Sequence, residues 1–198
     1  MHSEEKVFSK VRPYFILAAL LIATPNLLSL YIGNTGKLLV ATDKMKNDPF
    51  FKQKVVYVLG NDVWGARGIV INNPIVNSSP EKYNIHHKNA NIYNGGPVAY
   101  PSLKVAALNK IRATSRWRTQ PLTVVSYKGI EQSYPLYSDE EANLDVYVGY
   151  TGWSMGQLER EIKSGVWEVV DCNIINLRAR LDISEIWQYL NEKNTCPE

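Results

Sequence analysis

The sequence has few of the residues that most enzymes use for proton and metal chemistry. Of its 198 residues only three are His and two are Cys. The histidines, His2, His86 and His87, lie far in sequence from Cys172 and Cys196, so local spacing supplies no zinc set. No His-Glu-x-x-His helix and no glycine-rich loop ending in Lys-Ser or Lys-Thr occurs, which excludes the zincin and P-loop patterns. We therefore expect no metal and no cofactor. Charge of one sign is also missing as a block. The 22 basic and 19 acidic residues give a net charge of +3, with no basic stripe, and nucleic acid is not an expected partner. Repeats and low-complexity stretches are absent. What is present is an ordinary globular composition, 45% hydrophobic and 21% charged, too apolar for disorder. Twelve Tyr and five Trp supply aromatic area for a core or an interface. For the two cysteines we expect free thiols in a reducing compartment, with a disulfide as the alternative.

The first informative segment is Tyr14 to Gly36, 23 residues without a charge. As a helix it would span about 35 Å, enough to cross a bilayer. Pro25-Asn26 interrupts it. Three readings compete. A membrane anchor fits the length, the preceding Lys6, Lys10 and Arg12, and the tyrosines at its two ends. A cleaved signal peptide fits the basic start, although Leu21 stands where a small residue is wanted. A buried segment of a soluble domain is the third. We rank them in that order, which gives an inner-membrane association of undetermined side. Lys37, Lys44, Lys46 and Lys52 follow the segment, so positive charge does not orient it. Without an anchor the protein would be cytoplasmic. The expected organisation is an N-terminal segment over 1–35, a domain over 36–193, and a frayed tail over 194–198.

Beyond Gly36 the pattern is one of short mixed elements. Residues 37–42, 54–59 and 68–71 read as strands, with a turn at Asn61-Asp62-Val63-Trp64-Gly65 between the last two. Residues 75–91 read as loop and 105–108 as a short strand. Residues 122–127 and 130–137 look like a hairpin around Lys128-Gly129. Residues 144–150 are rich in β-formers, and 167–170 read as a strand. The clearest helix follows Trp153. Ser154-Met-Gly-Gln157 matches a capping box, and Met155, Leu158 and Ile162 fall on one face. Residues 182–193 read as a second helix, with Ile183, Ile186, Trp187 and Leu190 at helical spacing.

Few residues stand out chemically. Gly152-Trp153-Ser154-Met155-Gly156 matches the nucleophile-elbow pattern, but no His follows residue 87, so chain order excludes a hydrolase triad. Helix capping explains Ser154 better. Gly95-Gly96 could form an anion nest, though a tight turn is the commoner use. His86-His87 and the acidic run 139–141 read as solvated loop. Cys172 has no basic flank to activate it and reads as a structural thiol.

Three segments together resemble a known family. They are Gly36-Lys-Leu-Leu-Val-Ala-Thr-Asp43 with Asp48-Pro-Phe-Phe51, then Gly65-Ala-Arg-Gly-Ile-Val-Ile-Asn-Asn-Pro74, then Val148-Gly-Tyr-Thr-Gly-Trp-Ser-Met-Gly-Gln-Leu-Glu159 with Glu161 and Trp167. Gly95-Gly96-Pro97-Val98 sits between them. Order and spacing resemble the AlgH/YqgE family, also called UPF0301, over about Gly36 to Leu190. The resemblance implies an α+β fold: a single compact domain with a mixed, partly barrel-like β-sheet flanked by helices, here preceded by the apolar N-terminal segment. The family name points to regulation of alginate synthesis, yet no helix-turn-helix is visible here, and the resemblance carries over no catalytic residue. The sequence departs from the family pattern in its apolar leader, in Gly60 where an acidic residue or His is usual, and in Leu108-Asn109 where Leu-His is common.

We therefore expect a non-enzymatic binding or regulatory module tethered to a membrane through Tyr14 to Gly36. Its candidate surface is Asn72, Gly96, Tyr150, Trp153 and Gln157, and its partner an unknown protein or a small anionic ligand. The N-terminus of the Ser154 helix is a second candidate for holding an anion. The alternative is a hydrolase or transferase using Asp62 and the helix N-terminus at Ser154. A transcriptional regulator is the third reading.

Overall fold

A computed structural model of the protein describes residues 33–77, 79–83, 90–98, 104–109, 123–126 and 144–197. The first strand, β1 (Leu38–Ala41), is buried at every position. That is what an unbroken apolar run in a sheet covered on both faces should show. It lies between β2 (Val55–Asp62) and β9 (Trp167–Val170), antiparallel to both. Next to β2 come β3 (Gly65–Val70) and then β8 (Thr151–Ser154), completing a five-stranded sheet in the order β8-β3-β2-β1-β9.

Alternation splits the apolar residues of this sheet between two cores. Leu38, Val40, Val55, Tyr57, Ile69 and Ile71 face α2 (Ile174–Arg180) and α3 (Ile186–Lys193), meeting Leu177, Ile186 and Leu190. Leu39, Val56, Val58 and Val70 face the other way, toward Trp153, Trp167 and Leu158 of α1 (Gln157–Lys163). The Trp187 indole N–H donates to the Ala41 carbonyl at 2.8 Å and fixes α3 over β1.

The second sheet is mixed. Its order is β4 (Ala90–Asn94), β7 (Leu144–Val148), β5 (Lys104–Asn109), β6 (Thr123–Ser126), with only the β4–β7 pair parallel. The sheets are stitched at Gly95. Its carbonyl accepts from Val70 N–H and its N–H donates to the Val148 carbonyl, both at 2.7 Å. The α+β class is as the sequence implied. The barrel is not: among the described residues the strands form two open sheets.

Other expectations change. Residues 151–154 form a strand, because β3 offers a free edge and pairs Gly65 with Ser154. The helix therefore starts at Gln157, behind Gly156 at φ +66°. Helix α2 and strand β4 were not expected. The free-thiol expectation is overturned by a Cys172–Cys196 disulfide with Cα atoms 5.1 Å apart. It pins the end of the chain, where a frayed tail was expected. Of the apolar segment 14–36 only residues 33–36 are described, and His86-His87, residues 130–137 and the acidic run 139–141 lie outside the described residues. Among the described residues no helix is long and apolar enough to cross a membrane.

Candidate functional site

Strand β3 is the organising element, because it pairs on one side with β2 and on the other with β8. At its start Gly65 faces Asp62 across the hairpin and Ser154 across the second ladder. The Asp62 Oδ1 accepts the Trp64 N–H at 2.8 Å, an Asx turn that closes the hairpin. The turn throws the Trp64 side chain outward, and it is 80% exposed. Met155, one residue past Ser154, is 53% exposed. Beside this tip lies an open cleft of about 430 Å³ lined by Asp62, Trp64, Arg67, Tyr150, Gly152 and Trp153. Arg67 is exposed and makes no ion pair among the described residues. The cleft thus offers two aromatic walls, a cation and a carboxylate with one oxygen already engaged.

Behind the cleft the aromatic wall is held by one carboxylate. Glu161 Oε2 accepts both indole N–H groups, Trp153 at 2.9 Å and Trp167 at 2.8 Å. Its Oε1 accepts from Gln157 Nε2 at 2.9 Å. The two indoles meet edge to face, centroids 6.2 Å apart. Trp153 is only 7% exposed, so it packs the core and shows the cleft one edge.

The structure brings together some of the residues singled out in the sequence and separates others. Tyr150, Trp153 and Asp62 share the cleft. Gln157 stands behind it, and its Oε1 accepts both the Ser154 N–H and the Ser154 hydroxyl, each at 3.1 Å. This is half of the expected capping box. The Ser154 hydroxyl does not cap the helix, whose N-cap is Gly156. Nor is that hydroxyl set up as a nucleophile, since it donates to an amide oxygen that takes no proton at neutral pH. The seven-residue α1 begins too late to serve as an anion site at Ser154. Asn72 is elsewhere, with Oδ1 accepting the Val55 N–H and Nδ2 donating to the Gln53 carbonyl, both at 2.9 Å. It clasps the start of β2. Gly96 makes no nest, because its N–H donates to Asn94 Oδ1 at 3.1 Å. Its role is close approach: a Cβ there would stand 2.0 Å from the Tyr150 carbonyl carbon.

Sequence reasoning missed a buried polar cluster between the second sheet and α2. Arg178 Nη2 lies 2.7 Å from Asp145 Oδ2, with side chains 3% and 0% exposed. Arg178 also donates to the Tyr93 hydroxyl at 3.2 Å, and Asn91 Nδ2 donates to Asp145 Oδ1 at 2.9 Å. Burial, then the Asp145 charge, pushes the Tyr93 phenol up to about 12. The same causes raise Tyr147 further. Burial opposes the charge on Arg178, but the facing Tyr147 and the hydrogen-bonded Asp145 carboxylate outweigh it and the net direction is up. No local spacing could reveal this pair, whose members are 33 residues apart. Among the described residues no group of His, Cys, Asp and Glu could hold a metal ion.

Comparison with known proteins places the fold in context. Residues 38–195 match the AlgH-like family, DUF179. The chain belongs to the AlgH-like family. A UPF0301 protein of Vibrio vulnificus is 32% identical over 152 residues, covering 70% of this chain and 80% of that protein. One from Streptomyces coelicolor is 34% identical over 146 residues, covering 69% and 75%. Among solved structures, protein DIP2367 of Corynebacterium diphtheriae superposes with a TM-score of 0.52 at 21% identity, over 68% of this chain and 74% of that one. The likeness extends to the fold alone. The solution structure of AlgH from Pseudomonas aeruginosa gives a TM-score of 0.48 at 26% identity, over 69% of this chain and 76% of that one. The AlgH-like match starts at β1, so the apolar segment precedes it.

Proposed function

We propose that this AlgH-like protein is a non-catalytic binding module, held at a membrane by the apolar segment 14–36. Its cleft takes a small anionic ligand on Arg67, against Trp64 and Tyr150. The observation that carries the reading is the Trp64 indole, 80% exposed at the mouth of a cleft that also holds the exposed Arg67 guanidinium, which makes no ion pair among the described residues. Full burial of a large apolar side chain is worth about 2 kcal/mol or more. Leaving Trp64 in water therefore forgoes stability that a ligand can restore. Aromatic walls with a few fixed polar groups are the usual composition of a ligand site, and the Asp62 carboxylate in the same cleft is partly engaged by the Trp64 N–H. The cleft needs no moving part to accept an anion, since Arg67 already stands on a strand paired at both edges. The Cys172–Cys196 disulfide supports a domain on the oxidising face of the membrane, where such bonds persist.

Fluorescence titration of the full-length protein with inorganic phosphate, and separately with glycerol 1-phosphate, tests the cleft. A saturable change that disappears in Arg67→Ser is the expected result. An equal change in Arg67→Ser would overturn the anion assignment. Carbonate washing of membranes carrying the full chain tests the tether, which predicts retention.

A further inference from the structure

We infer that the β2–β3 hairpin tip is the face this protein lays on a phospholipid bilayer, and that the anion Arg67 meets is the phosphate of a lipid headgroup. The inference rests on the tether proposed above and names the source of the ligand. It starts from where the chain joins the domain. The apolar run ends at Ile32, and Gly33 then lies beside the end of β2, where an added Cβ would stand 3.6 Å from the Asn61 carbonyl oxygen. Thr35 Oγ1 accepts the Asn61 N–H at 2.9 Å and holds the joint there. Trp64 is three residues beyond Asn61, at most about 10 Å along the chain, and the turn at Asp62 keeps it within that reach. The interfacial layer of one leaflet is of comparable depth, about 5–8 Å. A run that ends in the bilayer therefore brings the hairpin tip to the headgroups.

The chemistry of the tip suits that position. Trp64 and Met155 flank the Gly65–Ser154 pair, the last rung of the β3–β8 ladder. Both point outward, 80% and 53% exposed. An indole with an apolar body and an N–H donor favours the membrane interface, and an unbranched thioether adapts to it. Arg67 follows on β3 and can reach a phosphate while its stem stays over the apolar tip. Asp62 and Glu159 stand at the same corner, Glu159 already accepting from Asn61 Nδ2 at 3.0 Å. Their charge disfavours a strongly anionic surface, so insertion of Trp64 and not net charge holds the contact. Zwitterionic phospholipid suffices.

The full chain is reconstituted into phosphatidylcholine vesicles with plain or brominated acyl chains. Fluorescence of the wild type is compared with that of Trp64→Ser, and the difference isolates Trp64. Brominated lipid should abolish most of that difference signal, while aqueous iodide should leave it nearly intact. A difference signal quenched by iodide and untouched by bromine overturns the inference. Carbonate washing of the same vesicles reads the tether separately. A retained chain with Trp64 open to iodide refutes the surface and keeps the tether. A stripped chain whose Trp64 had been bromine-quenched refutes the tether and keeps the surface.

Discussion

Replacing Arg178 by Met should cost this domain about 3–5 kcal/mol. The substitution keeps the aliphatic volume and removes the cation. Asp145, with a side chain 0% exposed, would then lose its guanidinium partner, with Asn91 Nδ2 at 2.9 Å and the Tyr93 hydroxyl at 3.4 Å among the donors it retains. Removing one partner of a buried pair costs about that much, because the other charge stays uncompensated in a poorly polarisable surrounding. A typical domain is stable by only 5–15 kcal/mol. With a urea slope of about 2 kcal/mol/M, the midpoint should fall by roughly 2 M. Asp145→Leu should cost a similar amount, since it strands the guanidinium. The double variant should cost less than either, as the pair leaves together. Urea unfolding followed by circular dichroism measures all three. Single losses below about 1 kcal/mol, or a double variant whose cost is the sum of the singles, would refute the reasoning.

Glu161→Gln should cost about 2–3 kcal/mol by urea unfolding, because an amide turns a donor toward N–H groups that the carboxylate now accepts from Trp153, Trp167 and Gln157. Alkali should act through both raised phenols, Tyr93 and Tyr147, of which Tyr93 supplies a removable share. A phenol whose folded value is raised to about 12 keeps its stabilisation below about pH 10 and loses roughly 3 kcal/mol as pH climbs from there to 12. Tyr93→Phe should flatten that decline in urea midpoint, and an unchanged decline would contradict the assignment. Reduction of the disulfide, whose cysteines are 24 residues apart, should lower stability by about 3 kcal/mol, and dithiothreitol should have no such effect on Cys172→Ser. Ser154→Ala should change stability by about 0.5 kcal/mol or less, where a true N-cap would lose about 1.

The legible part of the fold was the part written in local pattern. Strands β1 and β9 are runs of β-formers and lie where that pattern put them, whereas β2 runs on to Asp62 and β3 begins at Gly65, because hairpin pairing carries the ladder into the residues read as turn. Residues 151–154 show where local reasoning ends. Ser154 and Gln157 have the spacing of a capping box, yet the edge of β3 captures the backbone first, and pairing overrides the cap. Helix α2 was obscured because its seven residues make only about two turns, too short for a period to stand out with Asn176 and Arg178 between its apolar positions. The cysteine pairing could not be read from a separation alone. In the candidate site, Tyr150, Trp153 and Asp62 were found through their motif and turn. Trp64 and Arg67 were passed over as ordinary turn and strand residues, because what marks them is exposure beside β8. Asn72 and Gly96 were conspicuous for structural reasons, a clasp and a close approach. The Asp145–Arg178 pair needed the third dimension altogether.

The central claim is that the cleft beside Trp64 and Arg67 binds a phosphate-bearing ligand. Its most direct test is parallel capture of the detergent-extracted full-length wild type and of a Trp64→Ser/Arg67→Ser double variant, followed by mass spectrometry of the small molecules that come with each. The account predicts a phosphate-bearing species, a phospholipid foremost, with the wild type and its loss from the double variant at an unchanged urea midpoint. Recovery of the same species in equal amount with both proteins would contradict it.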